Sequence, residues 1–352
     1  MQKIFLIIQF LIIYTISSYG TLFSQDIEII SEGEVRSFKV NIPDDTKDPL
    51  PLIILMHGLG ETNSNMYGVA NYFSNRNFIA VRPQSGSYLN SSGSGYTTLW
   101  NALADTQKFD DVKFIGDLID YMLINYDFVD HDRIYAAGYS NGGYMTYRLS
   151  CDLSNRITAF GSVAGNMYLI DDGFDCTDQS RDIPIIHIHG TGDTFNPYYP
   201  GGYGVFGDDI IGDQYLTIGE SIDFWSDYHQ YNTVEIDTIL SDVSIKYTYS
   251  NDSLTSNFVH IKAENGGHIW FYGDTWGFSS TQEILDFSSQ YKLSDFIVNI
   301  EDTNNDGLFN IEDINIVVNR VFSPELDDLG YDFNFDNRTD IFDVLILSDI
   351  IF

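Results

Sequence analysis

Short apolar runs punctuate the chain at residues 35–42, 52–56, 78–82, 133–137, 159–164, 183–188 and 258–262. Several lack the in-out alternation of a half-solvated sheet. Runs of β-branched and aliphatic residues of this kind belong to strands buried on both faces. Between them lie helical patterns. Residues 111–126 put Val112, Ile115, Leu118, Ile119 and Met122 at three-and-four spacing, which gathers them on one helix face. Residues 142–151, 218–231 and 279–291 are expected to form further helices. Strand–helix alternation predicts an α/β fold with a mostly parallel sheet and helices on both faces. Two stretches break the pattern. Residues 85–98 are rich in Ser and Gly, and 196–212 in Gly, Tyr and Asp. Both read as loops at strand ends, where α/β proteins build their sites.

The two ends differ from this middle. Lys3 precedes an apolar run over residues 4–16, followed by Ser17, Ser18 and Gly20. This is the layout of a secretory signal, with cleavage expected between Gly20 and Gln25. An uncleaved membrane anchor is the alternative, but the run is short of the roughly 20 residues that a span needs. Beyond residue 293, acids and Asn recur. The expected organisation is a signal peptide over 1–25, an α/β domain over 26–293 and a small calcium-loop module over 294–352. A location outside the cell follows from the leader.

A net charge of −34 disfavours nucleic acid and anionic lipid as partners. With 25 Phe and 24 Tyr, a chain of 352 residues has ample material for a large core. An exported chain with the two cysteines Cys151 and Cys176 favours one disulfide; two buried free thiols are the alternative.

The run at 133–137 leads into Gly138-Tyr139-Ser140-Asn141-Gly142-Gly143 and then a helix. G-x-S-x-G between a strand and a helix makes a sharp turn that lifts the serine hydroxyl above the sheet. A serine needs a base, and the base needs an orienting acid. In this fold the chain order is Ser, acid, His. The run at 183–188 ends in His189-Gly190-Thr191-Gly192-Asp193, and the run at 258–262 is followed by Gly266-Gly267-His268. Ser140, Asp193 and His268 are therefore the candidate nucleophile, acid and base. His187 reads as a core residue, and His189 as a brace for the loop carrying Asp193. His131, His229 and His260 read as surface or strand residues. After the run at 52–56, His57-Gly58-Leu59-Gly60 is the expected place for one oxyanion donor, the Leu59 N–H, with the Asn141 N–H as the other. Trp100, Tyr139 and Trp270 are expected to contact substrate, beside loops that also carry Tyr88, Tyr96 and Tyr198.

These segments, together with Asp110-Asp111-Val112, resemble the extracellular poly(3-hydroxybutyrate) depolymerase and feruloyl esterase-like family, over about two thirds of the chain. The resemblance implies an α/β-hydrolase fold and a serine esterase acting on a polyester or on acyl-decorated plant polysaccharide, feruloyl or acetyl, through an acyl-enzyme. It maps the triad onto Ser140, Asp193 and His268, and supports a Cys151–Cys176 bridge. Leu59 stands where members often carry a cysteine. No cofactor is implied for this chemistry. An exported peptidase on the same fold, or a non-catalytic calcium-dependent binding protein, are the rival readings.

The acidic end carries two twelve-residue loops. In the first, Asp302, Asn304, Asp306, Asn310 and Asp313 supply side-chain oxygens and Leu308 a carbonyl, with Gly307 at the turn. In the second, Asp332, Asn334, Asp336, Asp340 and Asp343 do the same, with Arg338 at the carbonyl position and Asn337 at the turn. Helices are expected at 314–322 and 344–351. The pair resembles a type I dockerin module, which implies structural Ca²⁺ and a cohesin-like partner. Ile311, Glu312, Ile341 and Phe342 stand where that family usually carries small or hydroxylated recognition residues.

Overall fold

The computed structural model describes residues 24–44, 46–89, 95–103, 105, 108–168, 176, 181–200, 215–238, 243–296, 311–321, 341 and 344. The first strands are β1 (Ser24–Ser31), β2 (Glu34–Asn41), β3 (Leu50–Met56) and β4 (Ile79–Pro83), with helix α1 (Tyr67–Ser74) between the last two. A hairpin of β5 (Gly86–Leu89) and β6 (Tyr96–Leu99) precedes α2 (Asp111–Asn125). Then come β7 (Val129–Tyr139), α3 (Asn141–Asp152), β8 (Ala159–Val163), β9 (Ile185–Gly190) and α4 (Ile218–Tyr228). The last strands are β10 (Thr233–Thr238), β11 (Ser244–Ser250) and β12 (Phe258–Ala263), followed by α5 (Ser280–Ser288) and α6 (Ile311–Val321).

The main sheet has ten strands in the order β1-β2-β4-β3-β7-β8-β9-β12-β11-β10. Its centre, from β4 to β12, is parallel throughout. An antiparallel pair borders it on each side, β1–β2 next to β4 and β10–β11 next to β12. Every residue of β3, β8 and β9 is buried, which accounts for the apolar or small-residue composition of β3 and β8 and for the Ile residues of β9, whose His187 and His189 are the polar exceptions. Alternate side chains of one strand feed two cores. Leu52, Ile54 and Met56 pack with Phe114, Ile115, Leu118 and Ile119 of α2 and with Met145, Tyr147 and Leu149 of α3. Ile53 and Leu55 pack with Val69, Ala70 and Phe73 of α1 and with Ile284 and Phe287 of α5. Helices thus cover both faces, as the alternating pattern predicts.

Several elements differ from expectation. The β-structure starts at Ser24, so the last two residues assigned to the leader pair with β2, Ser24 with Asn41 and Gln25 with Val40. The Ser/Gly stretch read as a loop contains the β5–β6 hairpin, which pairs Gly86 with Leu99 through to Leu89 with Tyr96. Helix α1 and strands β10 and β11 have no counterpart among the expected elements. Helix α6 starts three residues before the expected 314. Among the described residues no helix is long and apolar enough to cross a membrane. Residues 1–23, with the expected leader, lie outside the described residues.

Cys151, at the end of α3, is joined to Cys176 by a disulfide with Cα atoms 4.8 Å apart. The bridge closes a segment of 25 residues. In the chain-entropy account that stabilises the fold by about 3 kcal/mol. Replacing both cysteines by serine should therefore lower Tm by roughly 5–10 °C. A calorimetric scan with no shift would show that the bridge constrains nothing the unfolded chain would otherwise explore.

Candidate active site

The elbow begins where β7 ends. Ser140 adopts φ 53° and ψ −119°, a conformation costly for a residue with a Cβ. Its N–H donates to Val163 O at 2.8 Å, and its carbonyl accepts from Gly143 N and Tyr144 N, opening α3. The turn is crowded. A methyl group on Gly142 would sit 2.3 Å from Met56 O, and one on Gly138 would sit 2.0 Å from Gly142 O. Glycine at these positions lets α3 start hard against the end of β3, where the Gly58–Leu59 turn begins.

Three strand ends then converge. Asp193 follows β9 and His268 follows β12, both at the carboxyl ends of parallel strands, the same rim as Ser140. His268 Nε2 lies 2.8 Å from Ser140 Oγ, and His268 Nδ1 lies 2.7 Å from Asp193 Oδ2. With the acid accepting from Nδ1–H, Nε2 is left to accept the serine proton. The acid side chain is sealed at 0% exposure while the imidazole keeps 11%, so solvent and substrate reach the base and not the acid. Asp193 Oδ1 accepts from the N–H groups of Phe195 (2.8 Å) and Asn196 (2.9 Å). Burial pushes this carboxyl up. Hydrogen bonds and charge from His189 and His268 outweigh that and hold it well below the usual carboxylate range.

The base is held on its ring faces and from behind. Tyr139 O–H donates to the backbone carbonyl of His268 at 2.8 Å, and its ring lies 5.2 Å from the imidazole. Phe195 packs 5.1 Å from the same imidazole and stays 37% exposed, which makes it an apolar surface beside the base.

On the other side of Ser140, Leu59 is half-buried and Asn141 is the first residue of α3. The first N–H groups of a helix have no partner within it and point out of its end. The Asn141 side chain is occupied elsewhere. Its Oδ1 accepts from Trp100 N at 2.7 Å and its Nδ2 donates to Trp100 O at 3.2 Å. Trp100 Nε1 donates to His57 O at 2.9 Å. His57 Nδ1–H in turn faces Gly58 O at 2.8 Å, and Nε2 accepts from Gln84 Nε2 and Ser85 N. Burial lowers His57 to about 4, so it stays neutral as this pattern requires. Asp111 completes the support by accepting from Asn101 N at 2.7 Å and from Arg36 at 2.5 Å. The Asp-Asp pair thus has a structural office: Asp110 caps α2 through Lys113 N, and Asp111 pins the segment that carries Trp100.

Two expected substrate contacts are corrected. Trp100 is 1% exposed and Trp270 8%, and Trp270 Nε1 donates to Thr281 Oγ1 inside the second core. Both indoles are structural because each spends its N–H on a buried acceptor. Tyr139 remains at the site, bound to the base loop. Of the histidines read as surface or strand residues, His260 lies in β12 and is buried, and His229, buried too, caps the end of α4. His260 bonds Tyr198 Oη and His187 O, and His229 accepts from Ile183 N. All but one of the expected calcium positions lie outside the described residues: Asp302, Asn304, Asp306, Leu308, Asn310, Asp332, Asn334, Asp336, Arg338, Asp340 and Asp343. Asp313 is described only as backbone within α6. Sequence reading missed Phe195, Trp100 as a brace, His57 and Asn196. Only the Asp193-x-Phe195-Asn196 spacing carried a signal, since residues two and three positions after an acid at a strand end are placed to donate their N–H groups to it.

The nucleophile elbow, the strand order and the Ser–Asp–His order together define an α/β-hydrolase fold. A family model described as Phospholipase/Carboxylesterase matches residues 38–202. A bifunctional acetylxylan esterase/xylanase of Neocallimastix patriciarum is 28% identical over 168 residues, 46% of this chain and 22% of that protein. The chain therefore spans about a fifth of the length of that relative. Among solved structures, an acetyl xylan esterase from Aspergillus awamori superimposes with a TM-score of 0.53 at 16% identity, over 77% of this chain and 100% of that one. An S-formylglutathione hydrolase from Agrobacterium tumefaciens gives 0.51 at 11%, over 78% and 99%. At these identities the two structures speak for the fold alone.

The buried histidines make stability depend on pH. Burial lowers His57 and His229 to about 4 and His260 to about 3, and holds His187 well below the ordinary value. In the unfolded chain each takes up its proton near pH 6.5. The unfolded state then binds more protons than the native state. The resulting stability is complete above about pH 6.5 and falls as pH drops toward the folded values, by about 1.4 kcal/mol per histidine per pH unit. Calorimetry should show Tm declining from pH 7 to 5.5, above the range in which surface carboxylates begin to shed their repulsion. A flat profile across that window would contradict neutral burial.

Proposed function

We propose that this chain is an exported serine esterase that removes acyl groups, acetyl foremost, from a plant-type polysaccharide such as xylan. The observation that carries the reading is the unbroken line from Ser140 Oγ through His268 to Asp193 at the mouth of a strained elbow. Ser140 attacks the ester carbonyl carbon as its proton passes to His268 Nε2. Asp193 holds the imidazole in the required tautomer and stabilises its charged form. The oxyanion rests on the N–H groups of Leu59 and Asn141, helped by the positive end of α3. The bond to the alcohol oxygen breaks, and that oxygen takes the proton from Nε2. Water then repeats the cycle on the acyl-enzyme.

The leaving alcohol must approach the base that protonates it, so it lies on the His268 side. Phe195 presents an exposed ring there, and Ile269 and Tyr272, 40% and 64% exposed, follow the base in sequence. Apolar and aromatic faces suit the C–H face of a sugar. Sequence similarity to the bifunctional acetylxylan esterase/xylanase favours an acetyl donor over a feruloyl group or a hydroxyalkanoate polyester. The peptidase alternative shares the triad but gains nothing from that similarity. Export rests on the leader alone. Structural Ca²⁺ and a cohesin-like partner for the C-terminal module rest on the loop spacing and on the dockerin resemblance.

Ser140→Ala should cut p-nitrophenyl acetate hydrolysis by at least about 1,000-fold while leaving Tm unchanged or higher. Retained activity would remove Ser140 from its role. The wild-type protein should release acetate from acetylated xylan faster than ferulate from feruloylated xylan or hydroxybutyrate from its polymer; the reverse order would reassign the acyl donor. For the C-terminal module, calorimetric titration of the full chain should find two Ca²⁺ sites, lost when Asp302 and Asp332 are changed to Ala. No heat of binding would sink that part of the reading.

A further inference from the structure

Behind Asp193 lies a second line of hydrogen bonds that the acyl-transfer steps do not use. Tyr147 Oη is 2.7 Å from His187 Nδ1, and His187 Nε2 is 3.1 Å from His189 Nδ1. His189 Nε2 is 2.9 Å from Asn196 O and 3.3 Å from Asp193 Oδ2. The planes of the two imidazoles are parallel within 1°. Tyr147, His187 and His189 are 1%, 0% and 0% exposed. The line runs from α3 across β9 to the triad carboxylate.

Burial holds His187 well below the ordinary histidine range, and for two neutral imidazoles in this line the hydrogens can be placed in one way only. His189 Nε2 faces two oxygens without hydrogens, a carbonyl and a carboxylate, so it must carry the proton. Nδ1 of His189 is then an acceptor, which makes His187 Nε2 a donor. Nδ1 of His187 is left to accept from the Tyr147 hydroxyl. Every polar atom in the line is satisfied, and its last N–H, on His189 Nε2, donates to Asn196 O with Asp193 Oδ2 close by at 3.3 Å. Flanking bonds keep the line in place. His260 Nδ1 is 3.2 Å from His187 O, and Asn196 Nδ2 donates to Ala164 O at 2.6 Å.

We propose that Tyr147, His187 and His189 form a positioning line for Asp193: they hold its carboxylate in plane for His268 and share the negative charge of the oxygen that faces the base. The proposal rests on the esterase reading above. Oδ2 serves both His268 Nδ1 at 2.7 Å and His189 Nε2 at 3.3 Å, while Oδ1 is taken by two backbone N–H groups. Any rotation of the carboxylate breaks a buried bond. A donor at His189 also draws charge from Oδ2 and tempers the pull of Asp193 on the proton of His268. Without it, the carboxylate would favour the charged imidazole more strongly, and the base would need a higher pH to become free.

The test is kinetic, with p-nitrophenyl acetate and the full chain. His189→Leu removes the donor and should lower kcat on the order of 10-fold with KM unchanged. It should also move the acidic limb of kcat/KM upward by about half a pH unit. His189→Gln, whose amide can donate from the same place, should restore most of both. Tyr147→Phe, which deletes only the far hydroxyl, should shift kcat and the limb in the same directions by a smaller amount, and it serves where His189→Leu does not fold. A folded His189→Leu or Tyr147→Phe protein with wild-type kcat and an unmoved limb would overturn the proposal. So would a fall in kcat with the limb unmoved, which would reduce His189 to packing. Failure of the esterase reading is a separate result, because there the wild-type protein itself would not turn over the ester.

Discussion

The buried carboxylate of Asp193 is the constraint around which the strand ends are arranged. An ionised acid with a fully buried side chain is tolerated only where donors surround it. Here they come from two backbone N–H groups just beyond it, from His268 in front and from His189 behind. The donors that stabilise the charge also fix its direction. The rim that carries the acid therefore has little freedom, and the loop carrying His268 must come to it. Tyr139 ties that loop to the elbow, so nucleophile, base and acid are held by short local connections to three parallel strands.

The opposite side of Ser140 depends on neutral groups. His57, Trp100 and Asn141 exchange hydrogen bonds among side chains and backbone, and the buried Asp111–Arg36 pair anchors the segment that carries Trp100. The result is a rigid seat for the Gly58–Leu59 turn against the start of α3, an arrangement that the close packing at Gly142 requires. Donors aimed at an oxyanion act best when their orientation is set beforehand. The charged side and the neutral side of the site thus use different physics toward one end. One concentrates charge on the base, and the other holds backbone dipoles still.

Much of this could be read before any coordinates. The central strands announced themselves because residues buried on both faces are mostly apolar or small, as in β3 and β8. The edge pair β10–β11 escaped because its residues alternate, Thr233-Val234-Glu235-Ile236-Asp237-Thr238, with Val234 and Ile236 exposed. A search tuned to continuous apolar runs passes over such a strand, although strict alternation is a strand signal in its own right. The β5–β6 hairpin was hidden by its Ser and Gly content. The tryptophans were misplaced for a different reason. An indole near a site in sequence looks like a platform for substrate, and only burial with a satisfied N–H reveals a brace.

The amino-acid sequence alone determined the chemistry available and its order along the chain: an elbow serine, then an acid and a histidine, each following a run that must be a strand. Such features are local, written in turn geometry and in periodicity. Tertiary structure alone decided which groups meet. That His268 lies 2.8 Å from Ser140, that His187 and His189 stand behind Asp193, and that Phe195 rather than Trp100 faces the base all follow from how the strands are ordered in the sheet. Strand order is a long-range packing outcome, set by which faces two helical layers can cover together, and no short window of residues contains it.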